Sequence, residues 1–149
     1  MVERRLRGYR ETLAAAGIDL PTDAIAVGPA SIDGGIWAFD RLWDAGRRPT
    51  AVLAMSDAMA IGAIRAIHQR GRSVPGEISV VGFDDVDLAA STDPPLTTVH
   101  QPVRDKGEAA VRLLLSVMEG GHPAPVHRRL ETRLVIRSST GPVSQAGRR

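Results

Sequence analysis

The run Ile78-Ser79-Val80-Val81-Gly82-Phe83 stops abruptly at two adjacent carboxylates, Asp84 and Asp85. A short, continuous apolar segment bounded in this way reads as a strand buried on both faces, the environment of a parallel strand inside an α/β sheet. It delivers two acids to the carboxyl end of that sheet, the edge at which open α/β sheets bind their ligands. A chain built around such a strand needs helices on either side of it in sequence.

Those helices are legible. Residues 2–16 carry Leu6, Tyr9, Leu13 and Ala16 at three- and four-residue steps, with Gly17 as the stop. Ser31 is placed to N-cap a second helix reaching residue 45, with Ile36, Phe39, Leu42 and Trp43 on one face and Gly46 closing it. Ser56-Asp57 caps a third, striped by Met59, Ala60, Ala63, Ile64 and Ile67 and ended by Gly71. Between them, residues 24–28, 50–55 and 78–83 read as strands.

Residues 84–97 read as a polar loop punctuated by Asp93-Pro94-Pro95, followed by a strand at 98–101. Pro102 suits the first turn of a helix over 103–119, which Gly120-Gly121 stop. Residues 128–137 place Leu130, Thr132, Leu134 and Ile136 on one side of a last strand whose other face is open to water, and from Ser138 onward the composition predicts a frayed tail. The alternation predicts an α/β fold with a mostly parallel sheet flanked by helices. Because the first helix has no strand before it, the chain is expected to be the later part of something larger.

Composition narrows the function classes. The chain has 149 residues and no cysteine, so disulfides and thiolate metal sites are excluded. Nineteen basic residues against seventeen acidic give a formal charge of +2, and Lys106 is the only lysine. Signs this balanced, with no basic block, argue against nucleic-acid binding by this segment. The charged start, Met1-Val2-Glu3-Arg4-Arg5, does not read as an export signal, and no apolar run reaches membrane-spanning length. The expected setting is the cytoplasm, with no membrane partner.

Asp84 and Asp85 are the leading candidates for chemistry. Such a pair suits Mg²⁺ and phosphoryl transfer, or acceptance of hydrogen bonds from sugar hydroxyls, or simply a turn cap. A phosphoacceptor needs an earlier acid and a later lysine, and the only lysine falls in the predicted 103–119 helix. Ser56-Asp57 occupies the equivalent position one strand earlier, where an acid at a helix start has a capping explanation of its own. Arg4, Arg5, Arg7 and Arg10 crowd the first helix, and one guanidinium there is able to reach the same edge. His68, His100, His122 and His127 have no metal-ligand spacing, and neither a nucleophile elbow nor a Walker loop is present. The residues call for no catalytic group, metal or cofactor.

Five segments, in order, resemble the carboxyl-terminal half of transcription regulators of the LacI/GalR family. They are Arg5-Leu6-Arg7-Gly8-Tyr9; Arg48-Pro49-Thr50-Ala51-Val52; Ser56-Asp57-Ala58-Met59-Ala60-Ile61-Gly62-Ala63; Val74-Pro75-Gly76-Glu77-Ile78 running on to Asp85; and Pro94-Pro95-Leu96-Thr97-Thr98-Val99-His100-Gln101-Pro102. The resemblance implies one lobe of a two-lobed, type I periplasmic-binding-protein-like fold with an effector in the cleft. Residues 1–101 would form the carboxyl-terminal lobe. Residues 102–121 would be a crossover helix of the other lobe, 122–138 a returning strand, and 139–149 a flexible tail.

The resemblance also assigns roles. Arg5, Ser56 and Asp84 match effector-contacting positions, with Asp57, Phe83 and Ala30 as further candidates. Where relatives often stack an aromatic on the ligand, this chain reads Gly28-Pro29-Ala30, which removes a platform for a hexose. The implied partners are a small effector of the sugar or nucleoside class and a second copy of the chain, through the helix after Asp57 and Val86, Leu88 and Ala89. Operator DNA would be met only through an amino-terminal helix-turn-helix that, with most of the first lobe, this chain lacks. A periplasmic sugar-binding protein of a transport system is the alternative, since it shares the core.

Overall fold

The computed structural model describes residues 2–120 and 129–143. Its helices and strands, in order, are α1 (Val2–Ala15), α2 (Ile32–Asp44), β1 (Ala51–Leu53), α3 (Asp57–Gln69), β2 (Ser79–Asp84), α4 (Asp87–Ala90), β3 (Thr97–His100), α5 (Val103–Met118) and β4 (Arg133–Val135). The strands form an open sheet flanked by helices, in the order β1-β2-β3-β4. β1, β2 and β3 run parallel and β4 is antiparallel at the edge. The expected α/β class is what the chain adopts.

The helix boundaries follow the punctuation. Ser31 Oγ accepts from the Gly34 N–H and Ser56 Oγ from the Met59 N–H, each satisfying a donor that the first turn leaves open. Gly17, Gly46 and Gly71 end their helices at φ of +72°, +84° and +68°, a conformation that costs glycine no Cβ clash.

α3 is the centre of the domain. Its predicted stripe widens to Ala60, Ile61, Gly62, Ala63, Ile64, Ala66 and Ile67, all buried, because the sheet lies against one side and α2 against another. The α2–α3 contact is a backbone approach: a Cβ on Gly62 would strike the Ile32 carbonyl oxygen, and one on Gly35 the Met59 carbonyl. Arg70 staples the far ends together, reaching Asp40 and Asp44 at 2.9 Å each. Val80 and Leu96 complete the core from the strands and the loop before β3.

Several expectations need correction. Residues 24–28 form no strand; a single 3₁₀ turn, Thr22–Ala24, precedes an irregular segment. β2 is not buried on both faces: Val80 and Gly82 are covered by α3, whereas Ser79, Val81 and Phe83 are half-buried. The 84–97 loop contains the single turn α4, whose Ala89 is fully buried in the core rather than exposed for a partner. The final strand is three residues long and its alternation is inverted. Leu134 and Ile136 are 57% and 74% exposed, while Val135 and Arg137 turn inward.

The predicted frayed tail is ordered at its start. Ser139 is fully buried: its Oγ accepts from the Thr97 N–H at 2.8 Å and donates to the Val80 carbonyl at 2.6 Å. A hydroxyl that serves as donor and acceptor closes the core where the sheet backbone would otherwise be unpaired. Part of the predicted strand, with His122 and His127, and residues 144–149 lie outside the described residues.

Candidate functional site

The carboxyl ends of the parallel strands set the site. Leu53 pairs with Val81, and the Ala54 N–H continues the ladder to the Val81 carbonyl at 2.9 Å. On the other side of β2, Asp84 pairs with His100. Residues 55–56, 83–84 and 100–101 therefore stand side by side along one edge.

Arg5 reaches this edge from α1. Its Nη1 donates to the Met55 carbonyl at 2.7 Å, and its guanidinium lies 3.5 Å from the centre of the Phe83 ring. A planar cation over an aromatic face is held by the ring quadrupole, which fixes the guanidinium at the edge. Arg5, Met55-Ser56 and Phe83-Asp84 are thus brought together. Ser56 is occupied as the N-cap of α3, and Ala30 lies exposed at the start of α2.

Asp57 is structural. It is fully buried, Oδ2 accepting from the Val86 N–H at 2.9 Å and Oδ1 from the Thr98 hydroxyl at 2.5 Å. Neither bond caps α3, whose N-cap is Ser56; the acid instead ties the start of α3 to β3 and to the turn after β2. Gly82 has no side chain because a Cβ there would strike Asp57 Oδ1.

The two acids after Phe83 diverge. Both adopt positive φ, +123° at Asp84 and +60° at Asp85, sparsely populated for residues with a Cβ. Asp84 Oδ1 accepts from Gln101 Nε2 at 2.5 Å, and Gln101 Oε1 accepts from Lys106 Nζ at 2.6 Å. Asp85 turns to Arg137 Nη2 at 2.6 Å and His100 Nδ1 at 2.9 Å. Burial works to raise its carboxyl pKa, but the hydrogen bonds and charges of Arg137 and His100 outweigh it and hold Asp85 below the ordinary carboxylate range. A Mg²⁺ phosphoacceptor needs both carboxylates on one cation, and this divergence opposes it. Among the described residues no group of three or more His, Cys, Asp or Glu is arranged to hold a metal.

The sequence reading missed Gln101, His100 and Arg137. His100 and Gln101 fall within a segment that carries the family resemblance, but the roles of all three come from bonds to Asp84 and Asp85 that span 15 to 52 positions of the chain.

Two hollows are notable among the described residues. A cavity of about 670 Å³ opens between α5 and residues 130 and 132, touching Gln101 and Lys106. A smaller one, about 220 Å³, separates Ile61, Ile64 and His68 of α3 from Leu88 and Thr92. α5 itself buries no residue; Val103, Val111, Leu114 and Met118 are all more than half exposed.

Residues 2–140 match the periplasmic binding protein-like domain. The chain is 40% identical over 136 residues to the HTH-type transcriptional repressor CytR of Escherichia coli K12, covering 91% of this chain and 40% of that protein. It superposes on the complex of the transcriptional regulator CelR with cellobiose at a TM-score of 0.86 and 39% identity, covering 91% of this chain and 41% of the other. A LacI family regulator from Enterococcus faecium with bound ribose gives a TM-score of 0.85 at 30% identity, covering 96% of this chain and 53% of that one. The chain spans about two fifths of the length of the curated relatives it matches. No helix among the described residues is long and apolar enough to cross a membrane.

Proposed function

The chain belongs to the periplasmic-binding-protein-like family, in the form carried by LacI-type transcription regulators, and from that premise we propose that it senses a sugar or related polar metabolite for a DNA-binding repressor. The observation that carries this reading is the Arg5 guanidinium held over Phe83 and against Met55, at the strand edge that also carries Ser56 and Asp84. An ionised carboxylate accepts several hydroxyl hydrogen bonds and a guanidinium supplies a fixed fork of donors; together they suit a ligand dense in hydroxyls. The sugars in the CelR and Enterococcus complexes support that ligand class.

Sensing on this reading is a population shift. An effector bridging this edge and a companion lobe stabilises one relation between lobes, and paired DNA-binding heads outside this chain respond. α5, with its uncovered apolar face, fits a crossover helix belonging to that companion lobe. The groove between α3 and Leu88, with Val86 beside it, fits a homodimer surface. The role is binding rather than catalysis, the setting the cytoplasm, and operator DNA is met only through the heads. The relatives named are regulators, which favours this over a transport role.

A thermal-shift series of the protein at its full encoded length with cellobiose, ribose and nucleosides tests the proposal. A ligand at a hundredfold over its Kd adds about 2.7 kcal/mol, or roughly 5–10 °C in Tm for a domain of this size. Melting unmoved by every one of these compounds at millimolar concentration would remove the sensing role.

A further inference from the structure

Resting on the reading of Asp84 as the effector acid, we infer that Arg137, from the far end of the chain, is the positioning residue that aims Asp84, acting through Asp85. The observation is a clamp around a backbone that would not hold itself. Two successive residues with side chains, Asp84 and Asp85, sit at φ of +123° and +60°. Aspartate tolerates the left-handed region better than most residues, but +123° lies outside its usual well, so surrounding contacts must fix the turn.

Those contacts come from both sides. Downstream, the Val86 N–H is held by buried Asp57 at 2.9 Å. At the apex, Asp85 is only 12% exposed and its carboxylate is gripped by Arg137 at 2.6 Å and His100 at 2.9 Å. Arg137 is itself locked: its Nη1 donates to the Leu96 carbonyl at 2.8 Å and its backbone N–H to the Thr97 hydroxyl at 2.9 Å. A planar fork bonded at both tips holds its partner in one place, which an ammonium cannot do. With Asp85 anchored, Asp84 is left pointing along the edge, where Gln101 meets its Oδ1 at 2.5 Å.

Arg137 thus sets the effector acid without touching the effector. The test compares wild type with Arg137→Gln, Arg137→Lys, Asp85→Asn and Asp84→Asn at full encoded length, by two readouts. The first is the NMR signal of the Gln101 side-chain amide, which reports its bond to Asp84 with no ligand present. Arg137→Gln should move that signal as far as Asp84→Asn does, and Arg137→Lys should restore it only in part. The second is calorimetric titration with cellobiose and ribose. Arg137→Gln should weaken binding about ten- to a hundredfold, the scale on which removal of orienting partners weakens metal sites.

Asp85→Asn keeps the left-handed preference and loses the charge, so it answers the question if Arg137→Gln fails to fold. An unshifted Gln101 amide in both variants, with a lowered Tm as the only effect, overturns the inference and leaves Arg137 a stability residue. Wild type that takes up neither sugar counts against the sugar-sensing reading, while the amide signal still decides the clamp.

Discussion

Arg5 and Phe83 are stacked, the guanidinium carbon 3.5 Å from the ring centre, although the sequence separates them by almost eighty positions. The contact joins the first helix to the end of the central strand. This stack and the bond to the Met55 carbonyl attach α1 to the edge.

Arg5→Leu should therefore loosen α1. Loss of a cation–π contact and a charged hydrogen bond costs about 2–4 kcal/mol together. Hydrogen exchange across α1 should quicken while that of α3 stays slow. Equal exchange in α1 before and after the substitution would show that Arg5 is no tether.

Asp57→Ala should cost much more than Ser56→Ala. The first strands the fully buried Thr98 hydroxyl, about 1–3 kcal/mol, and also removes the partner of the Val86 N–H. The second removes an N-cap, about 1 kcal/mol. Urea midpoints measure the difference, and equal losses would contradict the hub role given to Asp57.

Two glycine-to-alanine changes should have opposite signs. At Gly62 the new methyl meets the Ile32 backbone, which cannot yield without parting α2 from α3, at a cost of about 1–3 kcal/mol. At Gly107 in α5 nothing lies within 4 Å, so alanine should add about 0.5–1 kcal/mol through helix propensity. Denaturant melts of the two variants check both signs.

Asp85 makes an acid-side prediction. Its folded pKa is depressed below 3.8 because Arg137 and His100 outweigh burial. The stability it contributes is present above that ordinary value and is lost as pH falls through the lower, folded one. The gap in urea midpoint between wild type and Asp85→Asn should therefore narrow as pH falls below about 4. A gap that stays constant over that range would contradict the ion pair.

How much of this was readable in advance depends on whether a feature is local. Ser31, Ser56, Gly46 and Gly71 fixed helix ends because capping and positive φ are decided within one turn. The Ile78–Phe83 run disclosed the central strand and its acids. Residues 24–28 misled because a short apolar run forms a strand only if a neighbour pairs with it, and none of the described residues does. The alternation of Leu130 to Ile136 gave the wrong face, since the inward positions are decided by Arg137 finding Asp85, a contact across 52 residues. Family resemblance singled out Arg5 among four arginines; its stack on Phe83, 78 positions away, is a contact no local pattern announces.

The central claim is that Asp84 is the acid that grips the effector. Titration calorimetry of wild type and Asp84→Ala, at full encoded length, with cellobiose and ribose addresses it most directly. Binding by wild type and a loss of about 2–5 kcal/mol in the variant, roughly thirtyfold or more, is the predicted result. A variant that binds the same sugar as tightly as wild type would place the effector elsewhere and contradict the account.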